Sequence, residues 1–279
     1  MNFYRQLLVH LDDCASNATR LRAARTIAAE VGSSVTACYA VASSYLEAAY
    51  GIGAASPLLP RLTEWDCARR ERARQTFDME LEKPGPTVSW CEVEGIGCAG
   101  EFARLALFAD LLVLGQHDPS VLSGAAGDFN ETVVLMSGKP GLVLPYTGWS
   151  GTVGRNVVIA CKETREAARA VYTAIPLLQH AERVHVIHWA EEPGSAVGGD
   201  GKTLCLDGYL RLHGIDPIWH EGGAEPAAVG ELSLSRACDL DADLLVMGCY
   251  GHSRLREIVL GGMTRTVLRS MTLPVLMAH

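Results

Sequence analysis

Three glycines in the last part of the chain have the spacing of a loop that holds phosphate. They stand as G-x2-G-x9-G at Gly248, Gly251 and Gly261, after the apolar run DLLVMG and before a predicted helix. Glycine at a strand end lets a ligand reach the backbone, and free N–H groups in a first helical turn attract anions. The stretch therefore predicts a site for nucleotide phosphates. Its residues would be Gly248, Gly251, His252, Arg254, Gly261, Gly262, Met263 and Thr264.

The glycine spacing is weak evidence by itself, because the chain contains 28 glycines. Arg254, Arg256 and Arg265 add positive charge nearby, but each fits equally well as a solvated surface residue or an ion-pair partner. The interpretation therefore depends on the elements that position the loop.

The context of the loop occurs twice in the chain. ADLLVLGQHDPS at 109–120 matches ADLLVMGCYGHS at 242–253, and Pro140 lines up with Pro274 near the end of each half. A chain of 279 residues is long enough for two domains of ordinary size. The Gly- and Thr-rich segment 146–156 predicts a linker between them. We therefore predict domains over residues 1–148 and 153–279.

Both halves alternate apolar runs with helical patterns. In the first half the runs are LLVHL, SVTACYAV, TVSWCEVE, DLLVLG and GLVLPY, and the helices are predicted at 17–31, 59–82, 100–108 and 130–137. Continuous apolar strands indicate burial on both faces, as in a parallel sheet covered by crossover helices. The second half repeats the order in a shorter form. The fold class is therefore α/β.

Composition and charge exclude several classes of partner. Lys and Arg number 24 against 32 Asp and Glu, and no basic run is present, so we expect neither nucleic acid nor membrane as a partner. The chain shows neither a signal peptide nor an apolar run of the roughly 20 residues that span a membrane, which predicts a cytoplasmic protein. The nine cysteines include no C-x-x-C pair, which favours reduced thiols.

Motifs of catalysis and metal binding are missing from the sequence. It contains no G-x-S-x-G, G-x-x-x-x-G-K-[ST] or H-E-x-x-H, so we expect no enzyme beyond slow, incidental ATP hydrolysis. His10, Asp12, His117 and Asp118 stand at strand ends in the first half and have the chemistry of metal ligands. Their spacing is not diagnostic, and polar residues at the open end of a sheet explain them better, so we predict no metal site.

The loop in its context resembles the universal stress protein family. The resemblance rests on GxxG after ADLLVMG, a third glycine after nine residues, a helix and the closing strand PVLM, and it covers both halves. It implies two tandem Rossmann-like domains, each a five-stranded parallel sheet flanked by helices, packed as a pseudo-dimer. It also implies ATP, with Mg²⁺, on the C-terminal loop and pairing through the closing strands, and it leaves open whether whole chains form a homodimer.

Two positions of the second half depart from the family pattern. Gly262 stands where ATP-binding members usually carry Ser or Thr, although Thr264 follows two residues later. Lys162 stands where such members carry an Asp at the end of the first strand. The leading hypothesis is a stress-response or regulatory protein that binds an adenine nucleotide. A nucleotide-independent interaction scaffold is the first alternative, and a metal- or redox-responsive member with a reactive Cys161 or Cys249 is the second.

The first half departs from the pattern in the opposite way. Asp12 is present at the strand end, but Asp118 stands in place of the second glycine and Asp128 follows the third. A carboxylate at Asp128 would repel phosphate. We therefore expect the first half to bind no nucleotide.

Overall fold

The computed structural model divides into two compact units, Met1–Gly148 and Trp149–His279. None of the helices among the described residues is both long and apolar enough to cross a membrane. The residues that the structure describes are 4–46, 48, 58–93, 95, 97–120, 125, 127–189, 204–222, 229–251 and 262–279.

The first unit contains a parallel sheet in the order β3-β2-β1-β4-β5. Its strands are β1 Gln6–Leu11, β2 Ser34–Ala40, β3 Val88–Val93, β4 Leu111–Gly115 and β5 Gly141–Leu144. Its helices are α1 Asn17–Val31, α2 Leu59–Leu81, α3 Cys98–Ala106 and α4 Phe129–Ser137. Helix α3 begins two residues before the predicted start, because Gly97 and not a later glycine occupies the N-cap position.

The second unit repeats this topology in the order β10-β9-β6-β7-β8. Its strands are β6 Asn156–Cys161, β7 Arg183–His188, β8 Pro217–Glu221, β9 Leu244–Gly248 and β10 Val275–Ala278. Its helices are α5 Arg165–Leu178, α6 Leu206–Leu212, α7 Val229–Asp239 and α8 Gly262–Ser270. The predicted α/β class, with five parallel strands in each half, is confirmed.

The aspartate of the repeated ADLLV motif fixes the start of the sheet in both units. The Asp110 carboxylate accepts hydrogen bonds from the backbone N–H groups of Arg5, at 2.7 Å, and Gln6, at 2.9 Å. The buried Asp243 carboxylate accepts equivalent bonds from the N–H groups of residues 154–156. Each carboxylate therefore joins the N-terminal ends of the first and fourth strands, which explains why the motif recurs.

The first and fourth strands of each unit are neighbours, and the chain leaves them toward opposite sides of the sheet. Ligands of open α/β sheets bind outside the carboxyl ends of the strands at such a switch point. Strands β1 and β4 define one crevice, and β6 and β9 define the other. All six residues of β6 and five of the six residues of β1 are buried, so each crevice lies above a packed core.

Candidate functional site

Gly248 ends β9 directly against the start of α5. A Cβ built on Gly248 would lie 2.5 Å from the backbone nitrogen of Ala167 and 2.7 Å from the carbonyl carbon of Glu166. Both are backbone atoms, which cannot rotate away as a flexible side chain can. Only glycine therefore allows the strand and the helix to approach this closely.

Tyr250 lies between the two loop glycines in a left-handed conformation, with φ of 60°. Such a backbone costs a bulky residue on the order of 1–3 kcal/mol, and strain of this kind is concentrated in ligand-binding loops. The last two residues of the chain stabilise the loop. The Cys249 N–H donates to the Ala278 carbonyl at 2.9 Å, and the His279 ring contacts the Cys249 carbonyl. The spacing of the glycines in the sequence did not predict this conformation of Tyr250.

A carboxylate stands beside the second glycine of the loop. A Cβ on Gly251 would lie 3.0 Å from the Glu166 Oε2 atom, and Glu166 is 3% exposed. Burial alone would raise the pKa of Glu166, but hydrogen bonds from Arg165, its own N–H group and Thr164 outweigh burial and lower the pKa. Glu166 is therefore ionised at neutral pH. The sequence analysis did not predict Glu166 as a site residue.

Of the six remaining predicted site residues, the structure describes three and leaves three outside the described residues. Gly262 begins α8 and is exposed, with no atom within 4 Å of an added Cβ, whereas Thr264 is buried at 3% exposure. Met263 lies between them and is partly exposed. Lys162 follows β6 and is partly exposed. Three predicted residues lie outside the described residues: His252, Arg254 and Gly261.

The corresponding crevice of the first unit is filled by the side chain of Arg20. The guanidinium is fully buried, with Nη2 at 2.5 Å from Asp12 Oδ1 and 2.6 Å from Asn17 Oδ1. A Cβ on Gly115 would lie 3.1 Å from Arg20 Cζ. The cavity that remains is about 20 Å³, close to the space of one water molecule. Asp12, which the resemblance assigns to a nucleotide, is the ion-pair partner of Arg20.

His10 uses both of its ring nitrogens inside the first unit. Nδ1 lies 3.2 Å from Arg20 Nη1, and Nε2 lies 2.9 Å from the Ala40 carbonyl oxygen. The ring stacks on Phe129 with centroids 4.0 Å apart, while His117 is exposed. Among the residues that the structure describes, no group of three or more potential metal ligands is found. His10 therefore serves packing and hydrogen bonding, and the metal alternative gains no support.

The chain is similar in sequence to known proteins. Residues 225–279, which include the glycine loop, match the sequence profile of the Universal stress protein family. Universal stress protein Slr1230 of Synechocystis sp. is 24% identical over 251 residues, which are 85% of this chain and 84% of that protein. Both matches show similarity to universal stress proteins.

Two solved structures share the fold of this chain. A universal stress protein from Archaeoglobus fulgidus DSM 4304 gives a TM-score of 0.65 at 15% identity and covers 97% of both chains. A functionally unknown protein from Pseudomonas aeruginosa PAO1 gives a TM-score of 0.57 at 15% identity and covers 98% of this chain and 92% of its own. At this identity the similarity concerns the fold alone.

The two cysteines considered as reactive thiols are shielded from solvent. Cys161 is buried, and burial raises the pKa of its thiol to about 11. Cys249 is 1% exposed. A reactive thiol must be both accessible and readily deprotonated. Neither residue meets these conditions, so a redox function cannot rest on them.

The Arg20 network makes the stability of the first unit depend on pH. Burial is the main cause that lowers the pKa of His10 to about 4, against about 6.5 when unfolded. Burial would raise the pKa of Asp12, but the charge of Arg20 outweighs it and lowers this pKa to about 2. As the pH falls, His10 and Asp12 therefore take up protons at a higher pH in the unfolded chain than in the folded chain. The His10 contribution is lost as pH falls from about 6.5 to 4, and the Asp12 contribution as pH falls from about 4 to 2.

Urea unfolding between pH 7 and pH 2 measures this dependence. We expect the variant His10→Gln to show a smaller loss of unfolding free energy between about pH 6.5 and pH 4 than the unmodified chain. His117→Gln, at an exposed position, is the control and should keep the original profile. Parallel profiles for His10→Gln and the unmodified chain would contradict the assignment.

Proposed function

We propose that this chain is a universal stress protein and that it binds an adenine nucleotide, ATP with Mg²⁺, at the carboxyl edge of the second unit. One difference between the two units carries the proposal. When β1 and β6 are aligned, so that Asp12 lies opposite Lys162, Ala170 stands where the first unit has Arg20. Among the described residues, the atoms nearest to a Cβ on Gly248 or Gly251 belong to Glu166 and Ala167 and not to a guanidinium, whereas Arg20 fills the first crevice.

The backbone of the second crevice supports binding of phosphate. Gly248 brings the end of β9 against the N-terminal turn of α5, where Thr164 caps the helix by accepting from the Ala167 N–H. Gly262 starts α8 without a side chain. Helix N-termini favour anions through their free N–H groups and the helix dipole. Both helices could therefore contribute backbone donors to a phosphate chain.

Glu166 makes the proposal specific for nucleotide in complex with a cation. Its ionised carboxylate beside Gly251 would repel a bare triphosphate. Mg²⁺ is commonly held by one or two carboxylates together with substrate phosphates, and Glu166 fits that role. When bound, Mg²⁺ would supply positive charge between the carboxylate and the phosphates. We propose binding without catalysis, since the sequence contains no catalytic motif.

Calorimetric titration with ATP, in Mg²⁺ and in a chelator, tests this function. We expect Mg²⁺-dependent binding that Gly251→Asp abolishes, because the new carboxylate would lie beside Glu166. Gly127→Asp, in the loop of the first unit, is the matched control and should bind as the unmodified chain does. In Glu166→Gln, affinity should fall with Mg²⁺ and rise without it. Absence of binding at millimolar ATP would overturn the proposal.

The competing function is a nucleotide-independent interaction scaffold. The same Glu166 carboxylate favours it, because a buried acid at the phosphate position is an obstacle when no cation is present. Lys162 in place of the strand-end aspartate favours it as well. A scaffold predicts no heat from ATP for the unmodified chain or for Glu166→Gln, with or without Mg²⁺. The same titration therefore separates the two functions.

A further inference from the structure

Two cysteines face each other on adjacent strands of the first unit. Cys38 in β2 and Cys91 in β3 are direct Cα partners in the parallel ladder. Neighbouring strands lie about 4.7–4.9 Å apart, and a disulfide requires Cα atoms about 4.4–6.8 Å apart. Directly paired residues point to the same face of a sheet. Both cysteines are free thiols.

The two thiols differ in accessibility and in acidity. Cys38 is fully buried, and its interaction with Cys91 together with burial raises the pKa of its thiol. Cys91 is partly exposed, and its interaction with Cys38 lowers the pKa of its own thiol. The thiolate is the nucleophilic form of cysteine. Cys91 is therefore placed to react with a reagent from solvent, with Cys38 directly beside it.

We propose that Cys38 and Cys91 form an oxidation site at which hydrogen peroxide closes a disulfide between β2 and β3. The Cys91 thiolate attacks one peroxide oxygen, the O–O bond breaks, and Cys91 sulfenic acid and hydroxide form. The Cys38 sulfur then attacks the Cys91 sulfur, the S–O bond breaks, and the released oxygen leaves as water with the Cys38 proton. In total, two thiols lose two electrons and one peroxide becomes two waters.

The bridge would connect parts of the first unit that are distant in sequence. The chain between Cys38 and Cys91 includes the whole of α2. A cross-link that closes a long loop restricts the unfolded chain more than the folded one. Oxidation should therefore stabilise the first unit against unfolding, and reduction should reverse the effect.

Cys98 provides a matched control for this assignment. It is buried at the start of α3 and lies close enough to influence Cys38 electrostatically, but it is not a ladder partner of Cys38. Glu92 stands between Cys91 and Cys98 in the sequence. A protease that cuts after glutamate therefore separates the two cysteines into different peptides.

The experiment treats the full chain with a small excess of hydrogen peroxide and maps its peptides before and after reduction with dithiothreitol. We expect the Cys38 and Cys91 peptides to be linked, with the loss of two hydrogen atoms and a higher unfolding temperature. Cys98→Ala should form the same bridge. Cys38→Ala should instead accumulate sulfenic acid on Cys91, which dimedone traps. A bridge to Cys98, or oxidation confined to exposed Cys67, would overturn the proposal.

Discussion

Replacement of Arg20 by methionine is expected to lower the free energy of unfolding by about 3 to 5 kcal/mol. The guanidinium is fully buried and is paired with Asp12 and Asn17. Its removal would leave the Asp12 carboxylate almost buried without a compensating charge. Urea unfolding at pH 7, followed by circular dichroism, measures the loss.

Two further variants show whether the loss comes from the unpaired carboxylate. Arg20→Met combined with Asp12→Asn should lose less stability than Arg20→Met alone, because no buried charge remains. Arg104→Met breaks an exposed ion pair to Glu101 and should cost less than about 1 kcal/mol. A loss below about 1 kcal/mol for Arg20→Met itself would contradict the assignment of Arg20 as the buried partner of Asp12.

Replacement of Gly248 by alanine is expected to destabilise the second unit by at least about 2 kcal/mol. The new methyl group would meet the backbone of Ala167 at 2.5 Å, so β9 and α5 would have to separate. The same displacement would move the glycine loop away from the start of α5, and binding of ATP should weaken in parallel. Urea unfolding and calorimetry measure the two effects.

Gly262→Ala is the control for Gly248→Ala. An added Cβ at Gly262 meets nothing within 4 Å, and the position is exposed at the start of α8. We expect a change within about 0.5 kcal/mol or a slight gain in stability, because alanine favours a helix over glycine. Equal losses for the two variants would show that close packing at Gly248 is not what requires a glycine there.

The sequence was sufficient to predict the architecture because the strands are buried on both faces. Runs such as DLLVLG and DLLVMG are apolar throughout, and the same runs form β4 and β9. The repeated motif also predicted the two halves, since Asp110 and Asp243 perform the same task in each. The pseudo-dimer, the homodimer and the cytoplasmic location stay predictions.

The contents of the crevices were not predictable from sequence. Arg20 stands in a helix with Arg22 and Arg25, and nothing in its spacing distinguishes the arginine that enters the crevice. Glu166 reads as an ordinary first-turn acid of α5, and only the crossing of α5 over β9 brings it to Gly251. The pairing of Cys38 with Cys91 requires the strand register, which local patterns do not contain.

We propose that the second crevice accepts a nucleotide while Arg20 closes the first. Equilibrium dialysis of labelled ATP in saturating Mg²⁺ counts the bound molecules directly. The structure predicts one ATP per chain, which Gly251→Asp reduces to none. Two ATP molecules per chain would contradict the closure of the first unit, and none bound to the unmodified chain would contradict the site in the second.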